Sequence, residues 1–465
     1  MLPSHAARLF DPLMVDAAVA AILSDAGYVQ RMLAFEAALA RAEAAVGVIP
    51  FEAGLAISRA VETLHAAELD ELATAIAVGT AKAGSPVIPL VTLLTARTEA
   101  QGQPYVHWGA TTQDVMDTAL VLQWRDIAAL FEAELAELAD ALAGLARQHR
   151  DTPMVARTVM QHALPTTFGL KAASWLTVVL RHRERLAQIA PRTLCLQLGG
   201  AAGTLASLGA KGSAVADRLA SELGLGLAAT PWHSARDRIG EIAAFCGLLC
   251  GTLGKVGRDI VLLMQTDVQE VFEPAAAGRG GSSTMPHKRN PVLASVMVGA
   301  GTATPGLVST ILSAQMHEHE RAAGSGHAEW RTLPELLKIT SGALKAAVAL
   351  AGGLDVRADR MRSNLEQTRG LIMAEAVMMA LGQHLGRLGA HHHVDAACKR
   401  AIADDMHLCD AVLADAVIMA YLSPQQVAAL FDPQSYLGSA GSFVDAALAA
   451  HAHSKHAHSK DGPAA

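Results

Sequence analysis

Residues 114–150 read DVMDTALVLQWRDIAALFEAELAELADALAGLARQHR. Apolar side chains recur at three- and four-residue intervals along the stretch, the spacing of one buried helix face. Ala, Leu and Glu dominate its second half, and all three are strong helix formers. Asp151-Thr-Pro153 ends the run, because proline does not continue a helix. So long a helix needs others of similar length to cover it. Helical patterns recur at 165–190, 211–223, 235–273, 291–316 and 331–352, joined by short connections. No run of credible strand alternation appears. The expectation is an all-α fold built on a central bundle of long helices.

Composition points the same way. Of 465 residues, 51 % are hydrophobic but only 4 % aromatic, so small aliphatic side chains do nearly all the burying. That suits closely packed helices better than a Val-, Ile- and Tyr-rich sheet. The net charge of -7, with no arginine-rich stretch, gives no footprint for nucleic acid. The five cysteines lack zinc-type pairing, and Cys246 and Cys250 read as buried thiols of an apolar helix, as in a reducing cytoplasm. The start MLPSHAARLFDPLM has no continuous apolar core of signal-peptide length. Residues 291–316 carry no charge, and they read as the centre of a bundle rather than a membrane span.

Working outward, residues 16–46 read as one helix, and Gly47-Val-Ile-Pro50 breaks it. Another helical region follows, to about Val78. Residues 83–112, with Gly84, Pro86, Pro89, Gly102, Pro104 and Gly109, read as irregular and mark a domain boundary. A third region of shorter helices starts near 366. The expected division is 1–110, 111–365 and 366–450, with 451–465 (HAHSKHAHSKDGPAA) a disordered His-rich tail.

The segment richest in chemistry is GRGGSSTMPHKRNP, residues 278–291. Its glycines permit a mobile loop. Ser282 and Ser283 supply hydroxyls and Lys288 an ammonium. Asn290 and Pro291 read as the cap and first residue of the uncharged helix. Hydroxyls, an ammonium and a helix N-terminus together favour negative charge developing on a carboxylate.

GSSTMPHKRN (281–290) resembles the signature loop of the fumarase/aspartase superfamily. Two further segments, in the superfamily's order, strengthen the likeness. VHWGATTQDVMDT (106–118) is similar to its H-x-G-x-T-S-x-D-x-x-D-T region, and RTVMQHALPTTFG (157–169) to its R-T-H-x-Q-x-A-x-P-x-T-x-G region. Within the superfamily the chain most resembles the bacterial cycloisomerases, from about residue 10 to 445. The segments FEAALARAEAAVGVIP (35–50), QLGGAAGTLASLGAKG (197–212), PWHSARDRI (231–239) and HERAAGSGHAEWRTLPEL (319–336) carry that likeness. LFDPQSYLGSA (430–440) is shared with adenylosuccinate lyases, the alternative reading.

The resemblance implies three helical domains. It also implies a homotetramer with sites shared between subunits, and a reaction that closes a diene tricarboxylate to a lactone during aromatic-compound breakdown. It assigns Ser282 as proton-transferring residue and Lys288 as its catalytic partner. Asn290 stabilises the carbanion intermediate, and Thr111, Thr112, Gln113, Thr158, Gln161 and Arg321 bind substrate. No cofactor, metal, nucleic acid or membrane is implied. His107 and His162 read as structural. One departure separates relatives: most lyases of the superfamily follow the threonine of the second region with a histidine, whereas Thr158 is followed by Val159. Valine transfers no proton. A carboxylate leaving group needs none, unlike an amine or hydroxide, so the valine suits a cycloisomerase.

Overall fold

The computed structural model describes residues 9–276, 280, 281, 284, 285 and 287–460, with side chains through 455. The fold is all-α. Five long helices, Thr112–Gln148, Phe168–Thr193, Asp237–Leu263, Val292–Ala314 and Ser325–Ala351, form its frame. The residues group into two compact units that interleave along the chain. The first holds residues up to Glu134, His182–Lys255 and Val296–Ala346. The second holds Leu135–Arg181, Val256–Ser295 and the chain from Ala347 onward. Each change of unit falls inside one of the five helices.

In the first unit, helices Asp237–Leu263 and Val292–Ala314 pack closely along a stripe of glycines, backbone to backbone at Gly254 and Gly301. A Cβ on Gly254 would lie 3.1 Å from the Cα of Gly301, and one on Gly247 would lie 2.8 Å from Val308. A Cβ on Gly240 would overlap the amide of Gln315. Positions 240, 247 and 254 are seven apart, and so are 315, 308 and 301, so the helices run antiparallel in heptad register. Gly301 is the glycine of the uncharged helix that serves this close approach. Trp124 fills the same unit's core, edge-on to Phe131 and Phe245, with its indole N–H donating to Thr193 at 3.0 Å.

Several boundaries differ from those the sequence suggests. The first helix divides into Ala17–Ile22 and Asp25–Val46, because the Ser24 hydroxyl accepts from Gly27 N at 3.0 Å and caps a fresh start. Residues 83–112 contain the helix Val87–Arg97. Pro89 lies in its first turn, where a missing N–H is harmless. The pattern at 235–273 ends as helix at Leu263. The third region holds a 30-residue helix, Ala374–Ala403, interrupted at Gly386 (φ 67°, ψ 170°). Its tail is not disordered as far as Lys460, for helix Ala440–Lys460 runs through it. His451 Nε2 and Lys455 Nζ both reach Asp140, at 2.8 and 2.7 Å, and pin it to helix Thr112–Gln148 within the second unit.

The expectation of no strands also fails: the described residues form three two-stranded pairs, the longest of them a hairpin. Pro153–Thr158 pairs antiparallel with Gln161–Thr167, with an irregularity between Ala156 and Arg157. The two-residue tip is Val159 (φ 49°) and Met160 (φ 64°), both left-handed, as a tight hairpin turn requires. Val-Met lacks the Asn-Gly chemistry that announces such a turn, so the sequence pattern conceals it.

Candidate active site

The candidate residues lie in both units, and each unit builds its own part. In the first, the turn ahead of helix Thr112–Gln148 is organised by Asp114, which is fully buried. Its carboxylate accepts the backbone N–H groups of Thr111 (3.0 Å), Gly199 (2.9 Å) and Gly200 (2.9 Å). It also pairs with His233 Nε2 at 2.7 Å. A carboxylate meeting four donors fixes the turn rigidly. Gln113 is oriented in turn: its amide N–H donates to Asp117 (3.0 Å) and to the carbonyl of His233 (2.8 Å), which leaves its oxygen outward. Arg321 closes the cluster, with Nε donating to Gln113 Oε1 at 3.3 Å and Nη1 to Thr111 Oγ1 at 3.1 Å. The structure thus brings Thr111, Gln113 and the exposed Arg321 together, beside Thr112, the first helical residue. A guanidinium held by neutral side chains keeps its charge for an outside anion.

Behind this cluster lies a network that the sequence did not disclose. Arg236 is buried between two carboxylates, donating to Asp117 at 2.8 and 3.0 Å and to Glu329 at 2.5 Å, and its guanidinium sits over the Trp232 ring. No local spacing marks it, since its partners are about a hundred residues away in sequence. It supports Asp117, and through Asp117 the pose of Gln113.

In the second unit, Thr158 and Gln161 pair across the hairpin tip and are exposed, as are Val159 and Met160. The preceding Arg157 anchors the hairpin by a two-pronged pair with the buried Glu270 at 2.8 and 2.9 Å, and Asn364 donates to the same carboxylate at 2.8 Å. His162 is half-buried. Burial, and then the charge of Arg157, hold its pKa below the usual value, so it stands neutral.

Of the signature loop, Ser282 and Ser283 lie outside the described residues. Lys288 is exposed and Asn290 half-buried. Asn290 N donates to Gly280 O at 2.9 Å, and Gly281 bridges to Arg289. Gly280 has φ 69°, and a Cβ there would come within 2.7 Å of Asn290 O, so only glycine fits. Arg289 secures the loop base, donating to Glu273 O at 3.0 Å and stacking on Phe272 with its guanidinium 4.4 Å from the ring centre.

One expectation is corrected here. The helix after the loop begins at Val292, not Pro291, and its N-terminus is already occupied. The buried carboxylate of Glu273 accepts from Leu293 N (3.1 Å) and Ala294 N (2.7 Å). A helix end met by an internal carboxylate has little positive potential left for a substrate anion. Positive potential for a substrate anion is therefore not supplied by this helix N-terminus. Nothing near 273 signals the cap, because the glutamate acts from twenty residues upstream.

Against known proteins, residues 14–306 match the family described as Lyase, and residues 370–447 match the Adenylosuccinate lyase C-terminus. The chain is 52 % identical over 445 residues to a 3-carboxy-cis,cis-muconate cycloisomerase of Bradyrhizobium diazoefficiens, covering 95 % of this chain and 97 % of that one. It is 51 % identical to the protein of the same name from Pseudomonas aeruginosa, covering 96 % of each. Among solved structures, the 3-carboxy-cis,cis-muconate lactonizing enzyme of Pseudomonas putida superposes with a TM-score of 0.91 at 47 % identity, covering 97 % of this chain and all of that one. The chain belongs to the lyase family, and within it to the branch of the 3-carboxy-cis,cis-muconate cycloisomerases.

Proposed function

We propose that the protein interconverts 3-carboxy-cis,cis-muconate and 4-carboxymuconolactone, an isomerase step in protocatechuate breakdown by the β-ketoadipate pathway. The observation that carries this reading is the likeness to cycloisomerases along almost the whole chain. The alternative, adenylosuccinate lyase, finds support only in the C-terminal match.

In lactone formation one carboxylate oxygen bonds to a carbon of the double bond. The π electrons move to the neighbouring carbon and into the carboxylate beside it, and that carbon takes a proton. The bound intermediate carries extra negative charge on a carboxylate, and fixed donors aimed at it each contribute about 3–4 kcal/mol. Lys288 and Asn290 are the donors assigned here, and Ser282 transfers the proton. Serine is a poor base unless its alkoxide is stabilised, which gives Lys288 a second task. Thr111, Thr112, Gln113 and Arg321 bind one part of the substrate, and Thr158 and Gln161 another. We further assign the protein to the cytoplasm, as a homotetramer with sites shared between subunits, and keep 1–110, 111–365 and 366–450 as its three domains.

The reaction converts a tricarboxylate into a lactone with two carboxylates, so each turnover at neutral pH takes up one proton. Purified protein should consume 3-carboxymuconate with one proton taken up per lactone, and leave adenylosuccinate intact. Cleavage of adenylosuccinate without lactone formation would replace this reading.

A further inference from the structure

The proposed substrate is a trianion, and a cationic partner beyond Lys288 and Arg321 would add to its binding. The first unit holds another, arranged with unusual care. His107 Nδ1 lies 2.6 Å from Glu36 Oε1, and the Glu36 side chain is wholly buried while the imidazole keeps a 19 % opening to solvent. His107 has φ 60° and Gly109 φ 73°, so two left-handed residues in three fold this backbone tightly just ahead of Thr111. A left-handed conformation in a non-glycine residue costs about 1–3 kcal/mol and persists where surrounding contacts demand it. Among the described residues the second oxygen of Glu36 has no hydrogen-bond partner, nor has either oxygen of Glu43, two helical turns further along the same buried face of Asp25–Val46.

We propose that Glu36 is a positioning residue of the active site: it holds His107 as a charged anion-binding group beside the Thr111–Gln113 turn, where it receives one carboxylate of the substrate. The charge states fit. Burial alone would lower the His107 pKa, but the hydrogen bond and charge of Glu36, with a lesser contribution from Asp114, raise it above the usual value. Burial, then the Glu36 charge, pushes the Glu43 carboxyl up to about 9, so it stays protonated at neutral pH and places no second negative charge behind the pair. The charged groups acting on His107 are thus Glu36 from helix Asp25–Val46 and Asp114 from helix Thr112–Gln148, with neutral Glu43 beyond. The assignment of His107 to substrate rests on the cycloisomerase reading; the charge state that Glu36 imposes does not.

The test has two arms. Titration of the His107 imidazole by nitrogen-15 NMR on the intact protein should show the cation surviving above the ordinary histidine range, and Glu36→Gln should bring its titration down. The KM for 3-carboxymuconate should stay low while His107 is charged and rise as pH passes its pKa. In Glu36→Gln that rise should move to lower pH, with KM up about ten-fold near pH 8 and kcat within a few-fold, the loss of one charged hydrogen bond. The double variant Glu36→Gln/His107→Gln should be no worse than His107→Gln alone. If Glu36→Gln does not fold, the wild-type titration and the KM of His107→Gln decide the matter. A neutral His107 at pH 7, an unshifted KM profile in Glu36→Gln, or a KM in His107→Gln equal to wild type would each overturn the proposal. Wild-type protein inert toward 3-carboxymuconate but with a charged His107 would instead remove the substrate reading.

Discussion

Val159 occupies a position that few residues tolerate: φ is 49° and the residue is 94 % exposed at the hairpin tip. A β-branched residue is strained there, whereas histidine enters the left-handed region more readily. Val159→His should therefore leave the fold as stable as before, and any kinetic loss will report on the site. A substrate that must curl so that its own carboxylate reaches the double bond is sensitive to its walls, and a displacement of about 1 Å can cost about 10²-fold. We expect lactone formation to fall at least ten-fold with no gain of adenylosuccinate cleavage, with both rates measured beside wild type. Undiminished native activity would make the valine a neutral difference. Ser282→Ala should lower turnover by about 10²-fold or more while substrate binding is kept, as removal of a proton-transferring group does. Turnover within a few-fold of wild type would move the role elsewhere. Glu43 yields a pH prediction. Its folded pKa, about 9, lies above the unfolded value of 4.5, so the unfolded chain releases a proton that the folded chain retains. Stability contributed by this group is thus complete below about pH 4.5 and is lost progressively as pH rises toward 9. Glu43→Gln should flatten the decline of the unfolding midpoint between pH 6 and 8.5 and raise the midpoint at the upper end. An unchanged slope would place the acid in a wetter setting.

Among elements, the helix Val292–Ala314 depends on a carboxylate that is not its own. Glu273→Ala would leave the N–H groups of Leu293 and Ala294 without an acceptor in a buried place, which costs about 1–3 kcal/mol. A lowered midpoint in thermal unfolding checks this, and a midpoint equal to wild type would mean that water caps the helix equally well. The same helix shows what the sequence disclosed. Its existence and near-exact span were readable from an uncharged apolar run, and Thr111, Gln113 and Arg321, which the structure clusters, stand in segments that the sequence singles out. Its cap was not, and neither were the supports Arg236 and Glu270, because ion pairs between residues far apart in sequence leave no periodic trace. The hairpin was missed for a different reason, since tertiary anchoring by Arg157 overrides weak turn chemistry. The His-rich tail was misread because composition alone does not reveal that Asp140 waits to receive two of its side chains.

For the whole molecule, the outer face of Val292–Ala314 shows Thr302, Ala303, Gly306, Ser309, Thr310 and Ser313 to solvent, without one charge. An uncharged helix face of this length asks for a covering surface. We expect a homotetramer, with a mass in solution near four times 48.4 kDa. Light scattering on the active enzyme tests this, and a monomer with full activity would end both the tetramer and the shared site. The glycine stripe between Asp237–Leu263 and Val292–Ala314 limits how such a protein changes over its history. Adding or deleting one residue between Gly240 and Gly254 would rotate the remaining glycines by about 100° and drive side chains into the partner backbone. Changes of length in such a protein therefore belong in the connecting loops, and the spacing of these glycines acts as a fixed ruler.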